Sequence, residues 1–240
     1  MAVYLDVAGI HAFKGTKKPY VEYLTQEHLK LIFSLPDVTT RLGRRDRFFI
    51  IFAYETGARI QELLDLKLNS IIRNDSGIRI RIQGKGNKIR YVPLLGTTKN
   101  HLEAYLAGFH KKSTPDALLF YTIHNSGKTQ MQPGTVDYFL KKYAKLANEA
   151  DATFPKNLHA HMFRHSIAMA MYKKGIPISY IRDFLGHSSI ETTTIYSYSD
   201  GETITKALAA IDHIDSSDKV SRAKDWKGKE QYLLEYCGLS

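Results

Sequence analysis

Apolar positions recur at helical spacing over most of the chain and at strand spacing over one short stretch. Leu29, Ile32 and Phe33 follow Thr25, a capping residue with Glu27 in the first turn, and this predicts a helix that ends near Pro36. Residues 41–56 open with Arg41, Arg44, Arg45 and Arg47 and continue through Phe48, Phe49, Ile51, Phe52 and Tyr54 until Gly57 breaks the pattern. A short helix is expected at 60–66, and further helices at 97–110, 134–150, 161–174, 178–185, 189–198, 203–212 and around 227–236. By contrast, residues 77–83 (GIRIRIQ) alternate apolar and basic, the period of a half-exposed strand. Gly84-Lys85-Gly86-Asn87 reads as a turn and Lys88–Val92 alternates again before Pro93, so a β-hairpin with a basic tip is expected. A third short strand is expected at Leu118–Thr122. The fold class predicted is mainly α with one small antiparallel β-sheet (α+β).

Bulk composition narrows the partner more than the fold. The 43% hydrophobic and 24% charged content of these 240 residues is that of an ordinary globular protein with a buried core. The charge balance departs from the ordinary: 34 Lys plus Arg against 24 Asp plus Glu leaves +10. Such an excess suits a polyanion, since each phosphate neutralised by Lys or Arg releases counterions. No apolar run approaches the roughly 18–20 residues of a membrane span. The opening MAVYLDVAGIHAFKG lacks a basic segment followed by an apolar one, so no secretion signal is read there. Cys237 stands alone, which excludes an intrachain disulfide and a multi-cysteine zinc site and fits a reducing cytoplasm.

Three segments hold clusters that propensity does not require. In Thr56-Gly57-Ala58-Arg59-Ile60-Gln61-Glu62-Leu63 an arginine follows a glycine break at a helix start, where the macrodipole disfavours a cation. Arg59 either pairs with Glu62 at the surface or is aimed, with helix N-terminal N–H groups, at a phosphate. In His161-Met162-Phe163-Arg164-His165, positions 161 and 164 share one helix face, joining a proton-transfer group to a guanidinium fork for two nonbridging oxygens. His159, His161 and His165 offer an alternative metal-ligand set, although no Glu follows His161 as in the zinc-binding H-E-x-x-H pattern. His165 itself reads as a packed or capping residue. In the third segment, Leu185-Gly186-His187-Ser188-Ser189-Ile190-Glu191 leads to Thr194-Ile195-Tyr196. Gly186 suits a helix C-cap, and Ser188 with Glu191 suits a capping box that starts a new helix. On one continuous helix, residues nine apart would point about 180° apart, so this break is what lets His187 and Tyr196 face one site.

Together TGARIQELLDL, GKGNKIRYVPL, HAHMFRHSIA and LGHSSIETTTIY resemble the motifs of the tyrosine recombinases, the phage-integrase and Xer-like group, in that family's order. The resemblance covers roughly Tyr23–Ile211 and includes the family's nine-residue step from the last histidine to the tyrosine. It implies a DNA strand-breaking and rejoining enzyme that needs no cofactor, neither metal nor ATP, and works through a 3′-phosphotyrosine. By position, Arg59 and Arg164 resemble the phosphate-clamping arginines, and Lys85 the lysine that protonates the leaving oxygen. His161 resembles the acid/base histidine, His187 the histidine that orients the phosphate, and Tyr196 the nucleophile. Tyr198 lies eleven residues beyond His187 and departs from that spacing. Glu62 stands where the family has an acid that positions the helix. Arg44, Lys88 and Arg90 are expected to meet DNA backbone phosphates.

The resemblance further implies three regions. Residues 1–22 are expected to be a linker from a core-binding domain not present in the chain. Residues 23–213 form the catalytic domain, and 214–240 a tail whose short helix (Trp226, Leu233, Leu234, Tyr236) packs on a neighbouring subunit or back on its own domain. The partners implied are a double-stranded DNA recombination site and further copies of the chain, monomeric when free and tetrameric in the synapse, in the service of a mobile element; no membrane is implied. Alternatives within reach of the same residues are a type IB topoisomerase, a non-catalytic DNA-binding regulator and the metal-dependent hydrolase built on the three histidines.

Overall fold

The computed structural model describes residues 22–75, 77–94, 96–124 and 127–186, with the Lys85 side chain excepted. Seven helices and five strands occur among them, in the order α1 (Gln26–Ser34), α2 (Arg41–Thr56), α3 (Ile60–Leu64), β1 (Ile71–Asn74), β2 (Gly77–Gln83), β3 (Ile89–Leu94), α4 (Gly96–Phe109), β4 (Tyr121–His124), β5 (Gly127–Gln130), α5 (Pro133–Ala150), α6 (Ala160–Lys173) and α7 (Ile178–Leu185). No helix among the described residues is long and apolar enough to cross a membrane.

Local chemistry sets several helix ends where the sequence puts them. The Thr25 hydroxyl accepts from the His28 N–H at 3.2 Å and starts α1, satisfying one of the donors that a helix start leaves open. Thr40 does the same for the Gly43 N–H at 3.0 Å at the start of α2. Gly57 ends α2 in the left-handed region, φ +55°, and a Cβ there would lie 2.9 Å from Leu185 Cδ2. Both the dihedral and the close approach of α7 therefore require glycine.

α2 is the central helix and packs against α1, α4 and α6. Phe48, Phe49, Ile50 and Phe52 are all buried, which leaves α2 almost no solvent face over that stretch. The rings form a cluster with α4 and the segment before β4: Phe48 stacks on Tyr105 at 4.5 Å between centroids, and Phe49 meets Phe120 edge-on at 4.9 Å. Such pairs add about 0.5–1.5 kcal/mol each beyond the area they bury. A smaller cluster of Ala168, Met169, Ile181 and Leu185 joins α6 to α7.

β2 occupies its expected bounds and pairs antiparallel with β3, setting Ile80 opposite Val92 and Ile82 opposite Arg90. The other side of β2 pairs with β1, Ile71 opposite Ile80. The expected third strand at 118–122 is corrected here. Leu118 makes only an isolated bridge with Lys67, and Leu119 and Phe120 are apolar because they are fully buried. Strand structure starts at Tyr121 and pairs with β5 in a separate two-stranded sheet, so there are two small antiparallel sheets instead of one. The third strand of the main sheet is β1, whose IIRN sequence carries no alternation. The helices expected at 189–198, 203–212 and 227–236, the linker 1–21 and the tail 214–240 lie outside the described residues.

Candidate active site

Arg59 is the N-cap of α3, and Glu62 answers it from the same turn. The Arg59 N–H donates to Glu62 Oε2 at 2.9 Å, and Arg59 Nη1 donates to Glu62 Oε1 at 3.0 Å. Both readings of Arg59 thus meet in one residue: it pairs with Glu62, yet its side chain keeps 37% exposure at the edge of an open cleft of about 670 Å³. Gln61, Asp65, Lys67, Asn69, Arg81 and Gln83 line that cleft with it. Glu62 is buried and takes a second cation, Arg90 Nη2, on Oε2 at 2.7 Å. Burial by itself would raise its pKa, but donation from Arg90 and from the Arg59 N–H, with the charges behind them, holds the carboxyl below its ordinary value.

Arg164, on α6, is 3% exposed. Its Nη1 donates to the Gly57 carbonyl at 2.6 Å and its Nη2 to the Leu185 carbonyl at 2.8 Å. These are carbonyls at the C-terminal ends of α2 and α7, where the helix macrodipole favours a cation. His161 lies one turn earlier on α6 and is exposed. Desolvation, then the charges of Arg164, His159 and Arg59, push its imidazole below the ordinary value. Arg164 is also tied to the start of α3, because the Gly57 carbonyl it holds lies two residues before Arg59. His165 is packed, as the sequence suggests; burial first, then His161, Arg164 and His159, pushes it down to about 4. Among the described residues no group of three His, Cys, Asp or Glu side chains is placed to hold a metal ion, so His159, His161 and His165 do not assemble into a ligand set.

Lys85 lies at the hairpin tip, in a short 3₁₀ turn between Gly84 and β3. The tip is closed by the Gly84 N–H donating to the Lys88 carbonyl at 2.8 Å. Gly84 also sits directly on the Arg59–Glu62 cap: a Cβ on it would lie 3.1 Å from Glu62 Oε1. The hairpin therefore brings the backbone of Lys85 beside Arg59. Lys88 is exposed on the same hairpin, and Arg44 is exposed on the first turn of α2, where it lines a separate pocket of about 190 Å³ with Arg47, His101 and Phe109. Arg90, expected to meet a DNA phosphate, is turned inward: its side chain is 12% exposed and its guanidinium is engaged by the buried Glu62 carboxylate.

His187 and Tyr196 lie outside the described residues. The residue before His187 is described, and Gly186 caps α7 in the left-handed region, φ +68°, as the sequence predicts. Reading the sequence alone missed the cleft-lining Arg81 and Gln83 and the inward role of Arg90. The alternation in β2 does place Arg81 and Gln83 together on the face opposite Ile80 and Ile82; what it cannot supply is the α3 partner across the cleft.

Residues 22–202 match the family model described as the phage integrase family. The chain belongs to the phage integrase family. Among curated members, it is 31% identical over 189 residues to tyrosine recombinase XerC of Oceanobacillus iheyensis, covering 76% of this chain and 58% of that protein. It is 32% identical over 174 residues to tyrosine recombinase XerA of Pyrococcus horikoshii, covering 72% and 55%. This integrase-family chain thus spans little more than half the length of these relatives. Its fold is similar to that of the XerH site-specific recombinase bound to palindromic difH substrate in a post-cleavage complex, with a TM-score of 0.64, 25% identity, and 80% of this chain and 53% of that one covered.

Proposed function

We propose that this chain cuts and rejoins DNA, with Tyr196 as nucleophile and Arg59, Lys85, His161, Arg164 and His187 as the residues that act on the scissile phosphate. The observation that supports the reading is that Arg164 holds the Gly57 carbonyl, two residues before Arg59, while the Lys85 hairpin is seated on the Arg59 cap. A phosphodiester resists attack because its oxygens are anionic and its leaving alkoxide is poor. The two guanidiniums answer the first difficulty by stabilising charge that grows on the nonbridging oxygens. Lys85 answers the second by giving its proton to O5′ as the P–O5′ bond breaks and the tyrosyl Oη–P bond forms. The tyrosine proton passes to His161, whose depressed pKa keeps the ring neutral and able to accept it at neutral pH. The 3′-phosphotyrosine conserves the phosphodiester bond energy, so the reverse attack by the 5′ hydroxyl rejoins the strand without ATP.

The +10 charge supports double-stranded DNA as the partner. The XerH relative is described as bound to a palindromic substrate, and a palindrome offers equivalent half-sites to more than one copy of a chain. Accordingly, the working form is a homo-oligomer on DNA, a tetramer in the synapse, with residues 23–213 as the catalytic domain and 214–240 as the segment that reaches a neighbouring copy or folds back on its own domain. Cytoplasmic action on a mobile element's DNA follows from the same reading.

The test is a duplex library with randomised flanks and a 5′-bridging phosphorothiolate, whose thiolate leaving group cannot efficiently reverse the cleavage, so the covalent adduct accumulates. The wild-type chain should give a protein–DNA band on a denaturing gel, and sequencing the trapped DNA would define the site. Tyr196→Phe should bind the recovered duplex in a native gel and give no adduct. An adduct formed by the Phe variant would transfer the nucleophile elsewhere.

A further inference from the structure

The buried pair Arg90–Glu62 touches three of the elements that carry proposed site residues. Glu62 Oε1 and Oε2 hold Arg59 through its Nη1 and N–H. From above, Gly84 covers the pair: a Cβ there would meet Glu62 Oε1 at 3.1 Å and Arg90 Nη1 at 3.7 Å. From the α7 side, Gly186 lies on the Arg90 side chain, where a Cβ would meet Nη1 at 3.2 Å, Cδ at 3.3 Å and Cζ at 3.6 Å. Arg90 is thus enclosed by the residue before Lys85, the residue before His187 and the carboxylate that orients Arg59. Its Nε is buried with no hydrogen-bond partner among the described residues. A polar group held this way costs stability.

We infer that Arg90 is a positioning residue for strand cleavage, one that sets Arg59 through Glu62 and fixes the approach of the Lys85 hairpin and of the α7 end without touching DNA. This inference rests on the proposed function above. The physical reason is the state of Glu62. Arg59 from its own helix and Arg90 from β3 are the charged groups facing it among the described side chains, while Gly84 and Gly186 bring none. Remove Arg90, and the effect opposing Glu62 ionisation, burial, loses its main counterweight. Glu62 then protonates at higher pH, and the neutral carboxyl no longer anchors the Arg59 guanidinium. Arg59 misplaced by a fraction of an ångström weakens transition-state stabilisation more than binding of the whole duplex.

The decisive comparison uses the full chain and the phosphate-linked, nicked form of the duplex recovered by the adduct selection. Arg90→Met should cleave about tenfold or more slowly at saturating DNA with its Kd within about threefold of wild type. The acid limb of its rate–pH profile should move up by about one pH unit, the carboxyl having lost its partner. Arg90→Lys keeps the charge and should recover most of the rate. Without DNA, amide exchange should quicken at Arg59 and Gly84 in Arg90→Met while the α2 and α5 amides stay protected. Should Arg90→Met fail to fold, Arg90→Lys and the charge-neutral Glu62→Gln/Arg90→Met double variant carry the comparison: the double variant should cleave slowly with no acid limb at the raised position. Cleavage by either Met variant at the wild-type rate, a rate falling in step with DNA affinity, or an unmoved acid limb in Arg90→Met would overturn the inference. Absence of adduct in the wild type would instead overturn the function on which it rests.

Discussion

Two buried carboxylates in this protein, each served by an arginine, do different work. Asp46 in the α2 core takes Arg45 at 2.7 Å and the Tyr143 hydroxyl at 3.1 Å. This network pins α2 to α5 next to a wall of aromatic rings. Glu62 at the site takes Arg59 and Arg90, and its neighbours are glycines and open cleft. The core network is backed by apolar burial, so its geometry is overdetermined. At the site, the backbone is anchored by buried Ala58, Leu63, Val92 and Phe163, but the charged side chains are held by one another and by backbone carbonyls. The orientation of the proposed site side chains therefore depends on a few ionic and hydrogen-bonded contacts, whereas the Asp46 network adds to a position that ring packing already fixes.

That contrast can be broken by changing one side at a time. The largest loss of stability is expected for Phe49→Ala, which opens a cavity among Phe120, Phe139 and the fully buried α2 face. It should cost about 3–5 kcal/mol in denaturant unfolding, while the cleavage rate per folded molecule stays near wild type. A large fall in that rate would show that core and site are not separable.

Next comes pH. His165 is held at about 4 against an ordinary 6.5, so the folded state binds its proton only below about 4 while the unfolded chain binds it below 6.5. Stability contributed by this site is full above 6.5 and declines as pH falls from 6.5 towards 4. The expected loss is about 1–3 kcal/mol over that window. His165→Gln should flatten this part of the stability–pH curve, measured by urea titration at several pH values; an unchanged slope would assign the acid sensitivity elsewhere.

The smallest effect tests a local cap. Thr25→Ala removes the hydroxyl acceptor of the His28 N–H and should cost about 1 kcal/mol, leaving cleavage unchanged.

Much of the fold was legible because its signals are local. Thr25, Gly57 and Gly186 act on dihedrals and N–H groups within a turn, and β2 declares itself through alternation. β1 and β5 gave no such signal. Ile71-Ile72-Arg73-Asn74 is a four-residue edge strand whose partner alone defines it, and Gly127-Lys128-Thr129-Gln130 is polar on both faces. At the site, Arg59, His161 and Arg164 are singled out by motif chemistry, but their placement relative to one another depends on packing between helices distant in sequence. Arg90 is the instructive case. Its charge points to a phosphate, while its strand phase points inward: Arg90, Val92 and Leu94 alternate together, and the register sets Arg90 opposite the buried Ile82. The inward placement is legible in the periodicity and not in the residue type.

Arg164 joins two helix ends that lie far apart along the chain, the Gly57 and Leu185 carbonyls. A planar fork reaches both at once because its nitrogens diverge at a fixed angle. An ammonium also has several donors, but all on one nitrogen, so it lacks the fixed spacing that holds both carbonyls in this geometry. Whatever nudges the last turn of α7 is consequently felt, through a single rigid group, just ahead of Arg59, and a lysine at 164 would uncouple the two while preserving every charge.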